Sequence, residues 1–368
     1  MQEKKKKKAT IKDVAARANT SITTVSRVLS GSDYPVKEEL KSAIMEAAEA
    51  LNYKPNVFGQ LLRGGMNRQI GVVIPSITNP FYSQLIAAVQ KECMDNGYVP
   101  ILYSSHNSLH AEQSCIDTLI QSQVAGALLS LIHWDEGIGK ALEDAGIPYV
   151  LFDQPHDGYH GAAVDFDFYS AGKMAGEYLI GNGHQEIVFA SGTIDRPSRK
   201  KLFAGFRDTL GRYDVGFREE NLVLNPTRER TGASAMKDFK CGQELGRQIL
   251  DMEYIPDALF TVNDMMAIGI IKELEMNGVH VPIDISVLGF DNVEFGEMIV
   301  PALTTISQSA YRTGELAAGL LLEQLEGKGV HTKKVLLEPV LIERDSVRKK
   351  HNKVQQFRRR DSWRPNGR

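Results

Sequence analysis

Apolar residues between Thr10 and Gly31 recur three to four positions apart: Val14, Ala15 and Ala18, then Val25, Val28 and Leu29. This spacing predicts two short amphipathic helices joined by a tight turn. Thr10 followed three residues later by Asp13 is a capping-box start, and Ser21 caps the second helix. Asn19 falls where the turn needs a left-handed backbone, which Asn tolerates better than most residues. Pro35 is expected to open a third helix through Leu51, with Leu40, Ile44, Ala47, Ala48 and Leu51 on one face. The pattern is a helix-turn-helix with a supporting helix.

From Gln69 the pattern changes to short apolar runs separated by helical periods. Ile70 to Ile74, Val99 to Tyr103, Val124 to Ser130 and Pro148 to Phe152 read as strands, with helices at Pro80 to Asn96, Leu109 to Gln121 and Glu136 to Ala145. A second series begins near Ser170. Its strands are Ile187 to Ala190, Ala258 to Val262 and Ser286 to Phe290; its helices are Ala171 to Gly181, Ser198 to Gly211, Ser234 to Met252 and Asp264 to Asn277. The expected fold is an α/β core of two doubly wound parallel-sheet subdomains behind an all-α head.

The second helix of a helix-turn-helix lies in the major groove with its N-terminal half toward base edges. Here that half offers Ile22, Thr23 and Arg27. Arg can donate two hydrogen bonds to guanine, and Thr can meet a base edge or a thymine methyl. Thr10, Ser21 and Ser26 are candidates for phosphate contacts. An amphipathic helix pair also occurs in proteins that never touch DNA, so charge matters to the reading.

The net charge of −3 over 368 residues hides a division. Residues 1 to 64 hold 12 Lys or Arg against 7 Asp or Glu, and residues 347 to 368 hold 9 against 1, which leaves the middle near −16. A basic head on an acidic body suits DNA, because phosphate neutralisation supplies most non-specific affinity. Lys4 to Lys8 and the tail from Arg348 have the composition of disordered arms. No apolar run approaches a membrane span and MQEKKKKKAT has no signal-peptide core, so a cytoplasmic protein is expected. Cys93, Cys115 and Cys241 lack metal or redox spacing and read as reduced thiols in packed helices. No phosphate-binding GxxxxGK[ST], GxGxxG, GxSxG or HExxH string occurs. His106 with His110, and His156 with His160, have an i, i+4 spacing in turn-like segments, where surface histidines are the simpler reading. No catalytic site, metal or cofactor is expected. A binding module without DNA contacts and an α/β enzyme remain as alternatives on the same fold.

The strings TIKDVAARAN, SITTVSRVLSG, LNYKPN, IGVVIPSITNPFY, PDALFTVND, ISVLGFDN and LTTISQ follow one another between residues 10 and 346. Together they resemble the lactose-repressor/galactose-repressor (LacI/GalR) family of bacterial transcription regulators. The resemblance implies a homodimeric repressor of palindromic operator DNA, with a periplasmic-binding-protein-like core controlled by an effector, a sugar or sugar derivative, between its subdomains. It implies an arm at 1–9, a DNA-binding head at 10–55 and a hinge with linker at 56–68. The first core subdomain would take 69–167 and 309–330, the second 168–308 and 331–346, and the tail 347–368. The hinge would fold on DNA, with Leu62 wedged into a minor-groove base step and Arg63 following it. Gly59 in that hinge costs helix stability, roughly 0.5 to 1 kcal/mol relative to Ala.

Ligands of paired open sheets bind outside the carboxyl ends of strands. Asn79 and Phe81 follow the first strand, Asp153 the fourth, Asn263 and Asp264 follow PDALFTV, Asp291 follows VLGF, and Phe166 sits at the first crossover. The family uses corresponding positions for effectors, although Asn263 and Asp264 also suit helix capping. One position departs: Leu202 stands three residues before Gly205, where sugar- and purine-binding members place an effector-binding Arg. Arg199, Lys200 or Lys201 could take its place. The run Arg196, Arg199, Lys200, Lys201 would also suit a phosphorylated carrier protein if it were exposed.

Overall fold

A computed structural model of the chain describes residues 9–29, 34–53, 67–154, 156, 158–225, 236–329 and 332–350. The hinge residues Leu62 and Arg63, the Lys-rich arm and most of the basic tail lie outside the described residues. The chain divides into two units, residues 1–67 and 68–368.

In the first unit, α1 (Ile11–Arg17), α2 (Ile22–Leu29) and α3 (Glu38–Ala50) enclose Val14, Ala15, Val25, Ile44, Ala47 and Ala48. Both the backbone N–H and the hydroxyl of Thr10 donate to Asp13 Oδ2 at 2.7 Å, the expected capping box. Asn19 has φ 48°, and the Ser21 hydroxyl accepts from the Thr24 N–H at 3.1 Å. The third helix begins at Glu38 rather than Pro35. Lys37 is extended before it, and Glu38 and Glu39 then meet the positive helix end.

The second unit holds two six-stranded sheets. The first has the order β11-β5-β4-β3-β1-β2, from β1 (Gln69–Ile74), β2 (Val99–Ser104), β3 (Gly126–Leu129), β4 (Tyr149–Phe152), β5 (Ala163–Phe166) and β11 (Lys334–Leu337). The helices α4 (Pro80–Asp95), α5 (Leu109–Gln121) and α6 (Glu136–Asp144) belong to this sheet. The second has the order β12-β10-β9-β8-β6-β7, from β6 (Ile187–Ser191), β7 (Leu222–Leu224), β8 (Ala258–Thr261), β9 (Ser286–Asp291), β10 (Thr304–Ser307) and β12 (Val340–Ile342). With it go α7 (Phe168–Gly181), α8 (Pro197–Arg212), α9 (Lys237–Leu250), α10 (Asp264–Met276) and the single turn α11 (Phe295–Met298). The last helix, α12 (Ala310–Leu325), returns to pack on α4 and the first sheet. All pairings are parallel except β10 with β12. Central strands such as β1 are buried along nearly their whole length, because helices cover both sheet faces.

Three strands were not expected from the pattern. β5 carries Asp165, β7 is three residues long, and β10 is TTIS, whose Thr304 and Thr305 are buried by hydrogen bonding rather than by hydrophobicity. The last crossing also differs. Lys334–Leu337 pairs with β5 in the first sheet, and only Val340–Ile342 joins the second. The run KVLLEPVLI reads as one strand, but Pro339 offers no N–H to a ladder and divides it. The segment expected to belong wholly to the second subdomain from 331 therefore changes sheets after Leu337.

Candidate functional site

On the head, Thr23 and Arg27 are exposed on α2, as a groove-facing surface requires. The Arg27 guanidinium lies 3.9 Å from the centroid of the Tyr34 ring, a cation–π contact that limits its rotamers. Ser21 is exposed and Ser26 half-buried. Ile22 differs from expectation: it is half-buried and packs on the head core, because position 22 starts α2 beside the apolar stripe.

In the core, a cleft opens where the carboxyl ends of the two sheets face each other. Of the expected effector residues, Asn79, Phe81, Asp153, Arg199, Asn263 and Asp291 line it. Phe166 does not. It ends β5 inside the second core, its ring 4.9 Å from Phe168 and 6.0 Å from Phe290 (centroid to centroid), and Phe168 lines the cleft in its place. Asp264 is also absent from the lining. It is fully buried, accepting from the Val293 N–H at 2.8 Å and the Thr305 hydroxyl at 2.6 Å.

The acids of the cleft are held by several donors. Asp153 Oδ2 accepts from the Tyr82 hydroxyl at 2.7 Å, the Ser130 hydroxyl at 2.8 Å and the Gln154 amide at 3.0 Å. Burial raises its carboxyl above the usual range although those bonds oppose the shift. Asp291 accepts from the Gln308 amide, and from Asn79 Nδ2 at 3.4 Å. Burial and the neighbouring Asp264 push its carboxyl well up. Both acids have positive φ, 67° for Asp153 and 117° for Asp291. Such backbone is costly for a side chain and gathers at functional sites. Asn263 takes the capping job: its Oδ1 accepts from the Met266 N–H at 2.8 Å at the start of α10, while its Nδ2, on the cleft lining, donates to Asp238 at 3.2 Å.

Arginines do border the cleft, although not from position 202. Leu202 lines the cleft as an apolar wall, while Arg199, one turn earlier on α8, brings a guanidinium into it. Arg199 Nη1 donates to the carbonyl and hydroxyl of Thr193 at 3.1 and 3.2 Å. Arg196 also lines the cleft and donates across it to Asn107 Oδ1 at 3.0 Å. Two of the four cations in the run that could have met a phosphoprotein therefore face inward. Tyr82, Gln154, Phe168, Lys237, Asp238 and Gln308 are lining residues that the sequence reading missed. The signals were slight: Tyr82 and Gln154 each adjoin a predicted residue, and Gln308 ends LTTISQ.

The three thiols are free, Cys93 and Cys115 buried and Cys241 partly so, and burial pushes each above its usual range. Among the described residues, no group of three His, Cys, Asp or Glu could hold a metal ion, and no helix is long and apolar enough to cross a membrane. His156 Nε2 is instead hydrogen-bonded to the Leu131 carbonyl at 2.8 Å.

Asp264 carries a pH prediction. Burial raises its carboxyl to about 7, against an ordinary value near 4 in the unfolded chain. Between those values the folded state holds the extra proton, so this group makes stability fall as pH rises from about 4 to about 7, with no further loss above. Urea unfolding across that range should show the decline, and Asp264→Asn should reduce its slope. An unchanged slope would place the dependence elsewhere.

Comparison with known proteins agrees with this geometry. Residues 10–56 match the model for bacterial regulatory proteins of the lacI family, and residues 177–347 match a periplasmic binding protein-like domain. The HTH-type transcriptional repressor PurR of Pectobacterium carotovorum subsp. carotovorum (strain PC1) is 35% identical over 342 residues, 92% of this chain and 97% of that protein. Among solved structures, the lac repressor dimer bound to operator and the anti-inducer ONPF aligns with a TM-score of 0.76 at 27% identity, covering 93% of this chain and all of that one. A complex of the transcriptional regulator CelR with cellobiose aligns at 0.67 and 26% identity, covering 92% and 99%. The chain therefore belongs to the lacI family of bacterial regulatory proteins and is a DNA-binding transcriptional repressor with a ligand-binding core, not an enzyme.

Proposed function

We propose that this repressor binds a palindromic operator as a homodimer and is controlled by a small polyhydroxylated effector, a sugar or sugar derivative, held in the cleft of the core. One observation carries the reading. Buried carboxyls (Asp153, Asp291), buried amides (Gln154, Gln308) and the half-buried amide of Asn79 converge where the two sheets face, beside the rings of Phe81 and Phe168. Carboxyls and amides take paired hydroxyls, and an aromatic face covers the apolar side of a sugar ring. The cellobiose in CelR supports the same class.

Thr23 and Arg27 would read base edges, Ile22 would add an apolar contact, and Thr10, Ser21 and Ser26 would hold phosphates. Two heads on a dimer then meet inverted half-sites. The core couples to them through cleft closure. Arg196 to Asn107 and Asn79 to Asp291 are hydrogen bonds between the two subdomains, so a ligand that displaces or joins them biases one arrangement over the other. It can shift the equilibrium only by its differential affinity for the two states.

The test is operator affinity at fixed salt, on a site selected from random DNA, with and without a panel of sugars. A shift of about five-fold or more with one sugar supports the reading and gives the sign of control. Asp153→Ala should leave DNA binding intact and weaken the effector by about ten-fold or more, since it removes the acceptor shared by three buried donors. If no selected sequence beats random DNA, operator recognition itself is refuted.

A further inference from the structure

Two arginines of the cleft have more positive charge than the protein compensates. Arg196 and Arg199 stand at the start of α8, at its N-cap and third helical position, so both project from the same helix end. Among the described residues, Arg196 makes one hydrogen bond, to a neutral amide, and Arg199 makes two, to the neutral oxygens of Thr193. Neither is in an ion pair there, and the buried Nε of Arg196 has no hydrogen-bond partner. Both guanidiniums are half-buried, and although Asp195 and Asp238 lie near enough to Arg199 to stabilise it partly, no carboxylate among the described residues bonds either one; a cation drawn partly out of water in that way is costly. Burial and the neighbouring Arg196 lower Arg199, to about 10, which leaves it charged at neutral pH but poorly stabilised.

The helix end adds to this. The first turn of α8 has no acidic residue, and no side chain caps it. Its free N–H groups and dipole favour negative charge, and Ser198 of that turn lines the cleft. On the opposite side, Asp153 is satisfied by three protein donors and does not reach these cations in an ion pair. The cleft thus has a polar wall suited to hydroxyls and a cationic corner suited to an oxyanion.

We propose that the effector is an acidic sugar whose carboxylate or phosphate docks on Arg196, Arg199 and the N-terminus of α8. This rests on the saccharide reading above and narrows it. Arginine presents paired donors that match either oxyanion, so the geometry assigns the charge and not its source.

The full chain would be titrated by calorimetry at neutral pH and matched ionic strength with neutral and acidic pairs: glucose against glucuronate, gluconate and glucose 6-phosphate, and galactose against galacturonate. At least one acid should bind ten-fold or more tightly than its neutral counterpart; a uronate or aldonate would identify a carboxylate, and the 6-phosphate a phosphate. Arg199→Gln should remove that preference and Arg199→Lys should keep part of it, with melting temperature and circular dichroism checking that each is folded. Arg196→Gln provides a second variant. Inorganic phosphate, compared with chloride, should raise the melting temperature of the wild type more than that of Arg199→Gln. A neutral sugar that binds as tightly as its acid, or more so, overturns the charge and leaves the sugar cleft standing. If no saccharide binds, the saccharide reading fails; a phosphate effect dependent on Arg199 then still supports the anion corner, and its absence overturns that as well.

Discussion

Arg27→Ala is expected to weaken binding to a selected operator by roughly 5- to 150-fold, about 1 to 3 kcal/mol, and to relax the preference at one base pair in each half-site. The side chain is exposed on α2, and its stacking on Tyr34 holds it partly ordered before DNA arrives. Ordering that is already present need not be supplied on binding, so the bidentate contact retains more of its energy. Tyr34→Ala should therefore weaken the operator by less and leave the sequence preference in place. Gel-shift affinities on a set of single-base operator variants make the distinction. A loss of equal size on every sequence would make Arg27 a phosphate contact and refute base reading.

The largest effect on stability is expected where α7 crosses α8. A Cβ at Gly172 would overlap the Leu202 carbonyl oxygen, and one at Gly205 would overlap the carbonyl oxygen of Tyr169. Both obstacles are backbone, so no rotamer change relieves them and the helices must separate. Gly205→Ala should cost about 1 to 3 kcal/mol, and Gly172→Ala a similar amount, as overpacking does in well-packed cores. Because the two share one crossing, the double variant should fall short of the sum of the singles. The same displacement moves the start of α8, so effector affinity should drop along with stability. Gly319→Ala on α12 is the control. Open space surrounds that position, and removing a helical glycine there should stabilise by roughly 0.5 to 1 kcal/mol. If Gly205→Ala unfolds in urea at the wild-type midpoint, the close crossing is not as described.

Much of this arrangement is legible in the amino-acid order because it is local. The period of Val14, Ala15, Val25 and Val28 marks the head, and Asn19 and Ser21 sit where a turn and a cap need them. Helix α5 has the bounds its periodicity predicts, and the central strands are continuous apolar runs. Strands whose burial depends on neighbours were not legible. Thr304 and Thr305 carry no apolar run that would mark a strand, yet both are buried, Thr305 donating to Asp264 and Thr304 accepting from the Arg344 N–H. Phe166 and Phe168 are two apart and chemically alike, so nothing local says which ring reaches the cleft. Both rings pack in the second core, and only Phe168, at the start of α7, also borders the cleft.

What the amino-acid sequence by itself determined is the helices and the apolar central strands, the helix-turn-helix with its exposed Arg27, and most of the strand ends from which a cleft would be built. These follow from spacing and capping, which involve residues a few positions apart. The tertiary structure decided which charges meet. Tyr82 reaches Asp153 across 71 residues and Asn79 reaches Asp291 across 212, while among the described residues Arg196 and Arg199 are left without a carboxylate in bonding distance. Pairing of that kind is set by where the crossovers deliver each strand end, and hydrogen bonding and desolvation depend on the neighbours found there rather than on those along the chain.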